Sequence, residues 1–303
     1  MSQPAAQKRT NVQISPVVLT AFRAAFGVLE RVAPAPGAIL AERMWCHVPT
    51  PKGNSRLDLR PGPGEAITAT VGNRRVVAEA WGEGPTVYLS AGWGGWRGQL
   101  GALVSPVVEA GYRAVAFDPL SHGESDAGSM GRRAATIDEF ADSLTAVVGQ
   151  AGPAHAIVAH SVGCNATALA VGDGLTAGRL VFISPMADPT PYIDDFCHIL
   201  GVGDRVRAGM VARLERRIGR SLRDFDAVRL APRLALPLLV VHDHGDKETR
   251  FSDSEALVAA WPGSELVATD GLGHRRILTD PSVIRRVTDF VTVSSPAVRT
   301  DEG

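Results

Sequence analysis

Short apolar runs, separated by longer stretches of mixed character, dominate the chain from residue 86 onward. They are rich in Val, Leu and Ile, as strands buried on both faces are, and they lie at 86–91, 112–118, 155–160, 179–184, 236–243 and 264–269. Between them, apolar residues recur at helical spacing over 97–110, 136–150, 162–174, 253–261 and 281–293. Capping-box patterns, Thr136 with Glu139 and Ser252 with Glu255, mark two helix starts. The alternation predicts an α/β fold with a mostly parallel, doubly wound sheet.

Two further strands and an insertion complete the predicted core. The stretch from 66 to 82 has β-rich runs on either side of Gly72-Asn73, which predicts a hairpin and brings the sheet to about eight strands. Residues 186–235 are partly helical in pattern and carry no strand signal. We interpret them as a small helical lid, inserted into a core formed by residues 66–185 and 236–294.

The N-terminal region has a different pattern. Apolar residues recur at helical spacing from 15 to 33, Pro16 occupies the first helical position, and Pro34 and Pro36 are expected to end the helix. A link rich in Pro and Gly follows at 49–64. Residues 1–65 are therefore predicted to be a helical extension and linker that packs on the main domain, with a membrane or dimer contact as the alternative. Residues 295–303 are predicted to be a flexible tail.

Composition narrows the class of protein. The 303 residues include 31 Lys and Arg against 32 Asp and Glu, which gives no basic surface for nucleic acid. The three cysteines are far apart and form no C-x-x-C pair, which fits a reducing cytoplasm. Residues 143–172 carry no charge, but Gly, Pro, His and Asn interrupt them, so no stable membrane insertion is expected. No signal peptide is expected either.

Reactive residues gather where the predicted parallel strands end. The carboxyl ends of such strands meet at one edge of an open sheet. Ser161, Asp246 and His274 each lie in the segment that follows a predicted strand, and a Gly-rich turn at 92–95 follows the first parallel strand. A hydroxyl, a carboxylate, an imidazole and a Gly-rich turn at one edge suit nucleophilic catalysis.

The residue for each role is chosen by position. A serine hydroxyl needs an oriented imidazole as its base. Of the eight histidines, His274 is the best candidate because it lies on a loop after the last strand. His160 adjoins the serine, so packing is expected for it, and His122 is interpreted as a turn residue. Asp246 is preferred as the acid because it lies beyond the end of its strand.

The pentapeptide AHSVG at 159–163 is a weak signal by itself, since an ordinary strand-to-helix turn can carry the same letters. Small residues on either side of the serine suit the strained backbone of a nucleophile elbow. Asp188, which follows another strand, is the fallback for the acid.

Taken together, these segments resemble the α/β-hydrolase family. The likeness runs from about residue 74 to 293 and is carried by LSAGWGGW, GYRAVAFDPLSHGESD, VAHSVG, LLVVHDHGDKE and GLGHRRIL, in the order nucleophile, acid, histidine. The resemblance implies that Ser161 is the nucleophile, Asp246 the acid that orients the ring and His274 the general base. It also implies an oxyanion hole made by the backbone N–H groups of Trp93 and Val162.

Two positions depart from the family pattern. Ala159 replaces the first glycine of the elbow, a mild change because alanine is small, and Ala91 stands where a histidine often precedes the oxyanion loop. A serine at 161 argues against the family's epoxide hydrolases and haloalkane dehalogenases, whose nucleophile is an aspartate.

The predicted reaction is hydrolysis of a carboxylic ester through an acyl-enzyme, without a cofactor or metal. A small, partly apolar substrate is expected, and the predicted substrate-binding residues are Trp93, Trp96, Met186, Tyr192 and Phe196. Thioester, lactone, amide or C–C cleavage by the same triad remains open, as does the oligomeric state, a homodimer included.

Two alternatives come from other classes. His242, His244 and Asp246 match the H-x-H-x-D that opens the zinc motif of the metallo-β-lactamase family, with His274 as a further ligand, although the family's next histidine is Lys247 here. A zinc site would leave the elbow and the Gly-rich loop unexplained. A non-catalytic binder on the same fold is the second alternative, because fold alone does not determine function.

Overall fold

The protein is described by a computed structural model that covers residues 15–49 and 58–292. An eight-stranded sheet has the strand order β1-β2-β4-β3-β5-β6-β7-β8. β1 pairs antiparallel with β2, β2 pairs antiparallel with β4, and the other neighbouring pairs are parallel. The strands are β1 (Glu65–Val71), β2 (Arg74–Trp81), β3 (Thr86–Ser90), β4 (Arg113–Phe117), β5 (Ala154–His160), β6 (Leu180–Ile183), β7 (Leu238–Asp243) and β8 (Ser264–Thr269). The predicted hairpin and mostly parallel sheet are confirmed.

Helices cover both faces of this sheet. Short 3-10 helices lie at Arg97–Leu103, Leu222–Phe225 and Ala231–Arg233. The α-helices are α1 (Pro16–Val32), α2 (Pro34–Trp45), α3 (Val104–Glu109), α4 (Ile137–Ala151), α5 (Val162–Gly172), α6 (Thr190–Leu200), α7 (Asp204–Ile218), α8 (Ala227–Leu230), α9 (Phe251–Ala260), α10 (Gly273–Arg276) and α11 (Pro281–Thr292). Side chains of α3 and α11 share one hydrophobic cluster with the sheet, and those of α4 and α5 belong to the cluster on the other face.

The uncharged stretch from 143 to 172 forms the end of α4, all of β5 and all of α5. Ile157 and Val158 of β5 are fully buried, and the residues of α5 from Val162 to Ala170 are buried as well. An interior strand and helix therefore account for the missing charge. In the ranges that the structure describes, no helix has both the length and the apolar character needed to cross a membrane.

The first N-terminal helix ends where it was predicted to end, because α1 stops at Val32, just before Pro34. Pro34 is also the first residue of a second helix, α2, where the missing N–H of proline costs nothing. The second predicted capping box was wrong. Ser252 and Glu255 form no capping box, because α9 already begins at Phe251 after Arg250. The capping box of Thr136 and Glu139 is present at the start of α4. The predicted tail at 295–303 and positions 50–57 of the predicted link lie outside the described residues.

Buried charge joins the N-terminal helices to the segment at 186–235, which is strand-free as predicted. Glu42 of α2 is 1% exposed and accepts hydrogen bonds from Nε of Arg213 and Nε of Arg217, both on α7, at 2.6 and 2.9 Å. Glu30 of α1 accepts from the backbone N–H of Arg205 at 2.9 Å and so binds the first turn of α7. The two regions therefore form one packed layer.

Candidate active site

Ser161 lies at a sharp turn between β5 and α5, with φ 57° and ψ −124°. A non-glycine residue adopts such a conformation only when its surroundings enforce it. Its N–H donates to the carbonyl of Ile183 at 3.0 Å. A Cβ at Gly163 would lie 2.7 Å from the carbonyl oxygen of Ala91, so only glycine fits there. On the other side of the serine, the fully buried Ala159 takes the place of a glycine.

Asp246 and His274 meet in a buried hydrogen bond. The distance from His274 Nδ1 to Asp246 Oδ2 is 2.8 Å, and both residues are less than a tenth exposed. The other carboxylate oxygen accepts from the backbone N–H groups of Glu248 and Thr249 at 2.8 and 3.0 Å. Burial by itself raises the pKa of Asp246, but hydrogen bonds with His242 and His274 hold that pKa below its ordinary value. The carboxylate is therefore ionised and fixes the imidazole.

Two other carboxylates that lie near strand ends, Asp243 and the fallback acid Asp188, have different partners. Asp243 accepts hydrogen bonds from the N–H of Gly245 and Leu272 and so ties the loops after β7 and β8 together. Asp188 accepts from the N–H of Thr190 at the start of α6. The structure thus brings Asp246, the preferred residue, to His274.

His160 links the serine segment to the histidine segment. Its Nε2 lies 3.0 Å from the carbonyl oxygen of His274, and the two ring centroids are 4.5 Å apart. The pKa of His160 lies well below its ordinary value, mainly because the ring is buried and secondly because His274 is close to it. The ring is therefore neutral, and its Nε2–H donates to the His274 carbonyl. Among the described residues no hydrogen bond joins the Ser161 hydroxyl to His274. Such catalytic hydrogen bonds commonly tighten only when substrate is bound.

The backbone N–H groups of Trp93 and Val162 donate no hydrogen bond in the described part of the chain. Val162 is the first residue of α5, so its N–H belongs to the positive end of the helix. Trp93 is the second residue of a tight turn in which Gly95 N–H donates to the carbonyl of Gly92 at 2.9 Å. A Cβ at Gly92 would lie 2.9 Å from Ser161 Cβ, so the loop passes directly beside the serine.

His122, interpreted from sequence as a turn residue, holds this loop. Its Nε2 accepts the N–H of Gly94 at 3.0 Å, and its Nδ1 lies 3.0 Å from the carbonyl oxygen of Leu120. These partners require a neutral ring protonated at Nδ1. Burial lowers the pKa of His122 and favours the same state. The ring also packs edge-on against Trp93, with centroids 5.8 Å apart. Sequence reasoning missed this contact, because nothing local indicates which strand end the turn faces.

A cavity of about 240 Å³ opens at Ser161. Trp93, Met186 and Tyr192, three of the predicted substrate-binding residues, line it together with Val162 of the predicted oxyanion hole. Further walls come from α2, from α7 and from the loop after β7, and they include Trp45, Cys46, Leu214, Ile218, Glu248 and Thr249. Most of this lining is apolar.

Two predicted substrate residues do not line this cavity. Trp96 is 8% exposed and borders a second cavity beyond the Gly-rich turn. The guanidinium carbons of Arg60 and Arg97 lie 4.7 and 5.5 Å from the centroid of its ring. Phe196 packs edge-on against Trp45, with ring centroids 5.5 Å apart, and so lies behind the cavity wall. The turn at 94–95 separates Trp96 from Trp93, which the sequence spacing did not reveal.

The residues of the zinc alternative do not form one metal site. His242 Nε2 and His274 Nδ1 lie 3.3 and 2.8 Å from Asp246 Oδ2, but His244 lies apart from them. His242 Nδ1 lies 2.7 Å from Ser254 Oγ, whereas His244 Nδ1 lies 3.0 Å from Asp270 Oδ1 at the surface. Within 15–49 and 58–292, no group of three or more His, Cys, Asp or Glu side chains is arranged to hold a metal ion. The geometry at Asp246 is that of a hydrogen-bonded carboxylate and imidazole.

Several solved structures share this architecture. A bromoperoxidase from Bacillus anthracis matches 75% of this chain and 99% of its own, with a TM-score of 0.56 and 17% identity. An esterase from Rhodococcus sp. ECU1013 matches 76% of this chain and all of its own (100%), at 0.58 and 18% identity. An α/β-hydrolase enzyme from a Medee basin deep-sea metagenome library matches 76% of this chain and 98% of its own, with a TM-score of 0.60 and 15% identity. The protein therefore has the α/β-hydrolase fold. No protein-family model and no curated protein matches the chain.

Proposed function

We propose that this protein is a serine hydrolase that cleaves a carboxylic ester of a small, partly apolar substrate. The proposal rests on the strained Ser161 in the cavity lining, on two N–H groups that have no partner among the described residues, and on a buried imidazole–carboxylate pair. A binding protein has no need of a strained serine, an ionised buried acid and free amides in one place.

The mechanism follows from the chemistry of these groups. Ser161 Oγ attacks the substrate carbonyl and passes its proton to His274 Nε2, while Asp246 stabilises the resulting imidazolium. The N–H groups of Trp93 and Val162 bind the oxyanion, and each donor contributes roughly 3 kcal/mol to transition-state stability. His274 then gives its proton to the departing alcohol. Water, deprotonated by the same imidazole, hydrolyses the acyl-enzyme.

The cavity supports a neutral substrate with an apolar acyl or alcohol group. Trp93, Met186, Leu214 and Ile218 line the same cavity as Ser161 and make its wall largely apolar. Glu248 also lines the cavity, and its Oε2 lies 3.9 Å from His274 Nε2. A carboxylate at this position repels anionic substrates through simple electrostatics. We propose that residues 186–235 act as the lid of this cavity.

Hydrolysis of p-nitrophenyl esters of graded chain length tests the proposal. Wild type is expected to cleave them with a preference for medium apolar acyl groups, and Ser161→Ala is expected to lose at least 10³-fold in kcat, because the nucleophile is gone. Cys164→Ala is the matched control, because Cys164 lies only three residues after Ser161 and is buried. Burial raises the pKa of its thiol well above the ordinary value, so the thiol is not a nucleophile and the variant should keep its activity. Equal rates for wild type and Ser161→Ala would refute the mechanism. Thioesters and lactones in the same panel identify the leaving group.

A further inference from the structure

The N-terminal helices carry an exposed apolar surface. In the described part of the chain, the exposed large hydrophobic side chains lie on α1, α2 and α6 and are Val17, Val18, Val28, Val32, Ile39, Leu40 and Ile199. Val17 and Val32, near the two ends of α1, are 77% and 75% exposed. A run of such residues along one helix is unusual for a surface that faces only water.

The exposed residues of α1 follow the spacing of a helix–helix contact. Val18, Ala21, Ala25, Val28 and Val32 are all exposed, and they are separated by three, four, three and four positions. This alternation places side chains in one stripe along a helix and is the pattern of a seam packed against a second helix. We call these residues the α1 seam.

A different face of α1 already packs on the domain. Phe26 is fully buried, and Phe22 and Leu29 pack on the same hydrophobic cluster. Arg23 donates to the carbonyl of Ile199, and Glu30 binds the start of α7. The α1 seam is thus an additional apolar face, not the core-facing side of an ordinary amphipathic helix.

We propose that the α1 seam is the interface of a homodimer in which α1 packs against α1 of a second copy about a two-fold axis at Ala25. A two-fold contact is self-complementary, so one stripe supplies both sides. The small side chains of Ala21 and Ala25, in the middle of the stripe, allow the two helices to approach closely. Membrane-surface helices instead present large side chains such as Trp, Phe and Leu, which this stripe lacks.

The available area agrees with a dimer contact. The α1 seam, together with the exposed Val17 of α1 and Ile39 and Leu40 of α2, exposes roughly 600 Å² of apolar surface per copy, against about 800 Å² per partner in a standard stable interface. Polar residues at the rim supply the remainder. None of the residues that line the Ser161 cavity comes from α1. The dimer is therefore independent of the proposed hydrolase activity.

Analytical ultracentrifugation over a range of micromolar concentrations tests this proposal. Wild type is expected to sediment with twice the chain mass, and Ala25→Glu with the monomer mass, because two carboxylates would be buried face to face. Thr20→Glu is the control, because Thr20 is exposed on the same helix but lies about 140° around it from Ala25. Circular dichroism and ester hydrolysis report whether each variant is folded.

Cysteine cross-linking provides a second test, which does not require the fold to tolerate a new charged side chain on α1. The native Cys46, Cys164 and Cys197 are buried, so a new surface thiol reacts selectively. Oxidation is expected to convert Ala25→Cys into a disulfide-linked dimer and to leave Thr20→Cys unlinked. A monomeric wild type at every concentration, or equal cross-linking of both variants, would overturn the proposal. Binding of wild type, but not Ala25→Glu, to phospholipid vesicles would overturn it in favour of a lipid surface.

Discussion

The Glu42 carboxylate connects the N-terminal helices to the segment above the cavity. It is 1% exposed and holds Arg213 and Arg217 of α7, the helix that also places Leu214 and Ile218 in the cavity wall. Glu42→Gln keeps the shape of the side chain and removes its charge. We therefore expect both the stability of the fold and the acyl-chain preference to change.

The size of the stability loss follows from burial. Breaking a fully buried ion pair costs about 3–5 kcal/mol, because a charge is left without a partner. The side chains of Arg213 and Arg217 are each 32% exposed, so water partly replaces the lost carboxylate. We expect a decrease of about 2 kcal/mol in the free energy of unfolding, equivalent to about 4 °C in Tm for a chain of this size.

Urea denaturation and thermal melting measure this decrease, and the ester panel measures the preference for chain length. The matched control is Asp173→Asn, which breaks an ion pair with Arg220. The side chain of Asp173 is 51% exposed and that of Arg220 is 34% exposed. That change should cost less than about 0.5 kcal/mol. If Glu42→Gln and Asp173→Asn have equal stabilities and unchanged chain-length preference, the buried connection between α2 and α7 does not support the cavity.

Three further predictions concern the site. Asp246→Asn is expected to lower kcat by about 10³-fold or more, since an amide favours the wrong tautomer of His274; an unchanged kcat would exclude Asp246 as the orienting acid. His122→Ala should lower kcat about tenfold with little change in KM, because Gly94 N–H loses its acceptor. His155→Ala is the control and should not lower kcat, because His155 lies at the end of β5 away from Ser161. Folding lowers the pKa of His122, so the contribution of this neutral ring to the free energy of unfolding is present above pH 6.5 and is lost as the pH falls. Urea titrations should therefore show that the free energy of unfolding decreases less steeply below pH 6.5 in His122→Ala than in wild type.

Strand positions were predictable because each parallel strand is a short apolar run between polar segments. The middle strands, such as β5 and β7, are buried along nearly their whole length, so each stands out as an almost continuous apolar run. Helix starts were less predictable. Proline is both a helix stop signal and a common first helical residue. Pro34 has both roles, because α1 ends just before it and α2 begins at it.

Ser161, Asp246 and His274 could be proposed from sequence because the carboxyl ends of parallel strands meet at one sheet edge. The cavity walls could not be predicted in the same way. Trp45 and Leu214 come from segments far apart in sequence, and only the packing of α2 against α7 brings them together. The contact of His122 with Gly94 likewise depends on how two loops meet.

The central claim is that Ser161 is an activated nucleophile, and reaction with a fluorophosphonate followed by intact-mass measurement and peptide mapping tests it most directly. We predict one adduct per chain, located on the peptide that contains Ser161, no adduct in Ser161→Ala, and slow labelling in His274→Ala. An unlabelled serine in folded wild type, or the same adduct in Ser161→Ala, would contradict the claim.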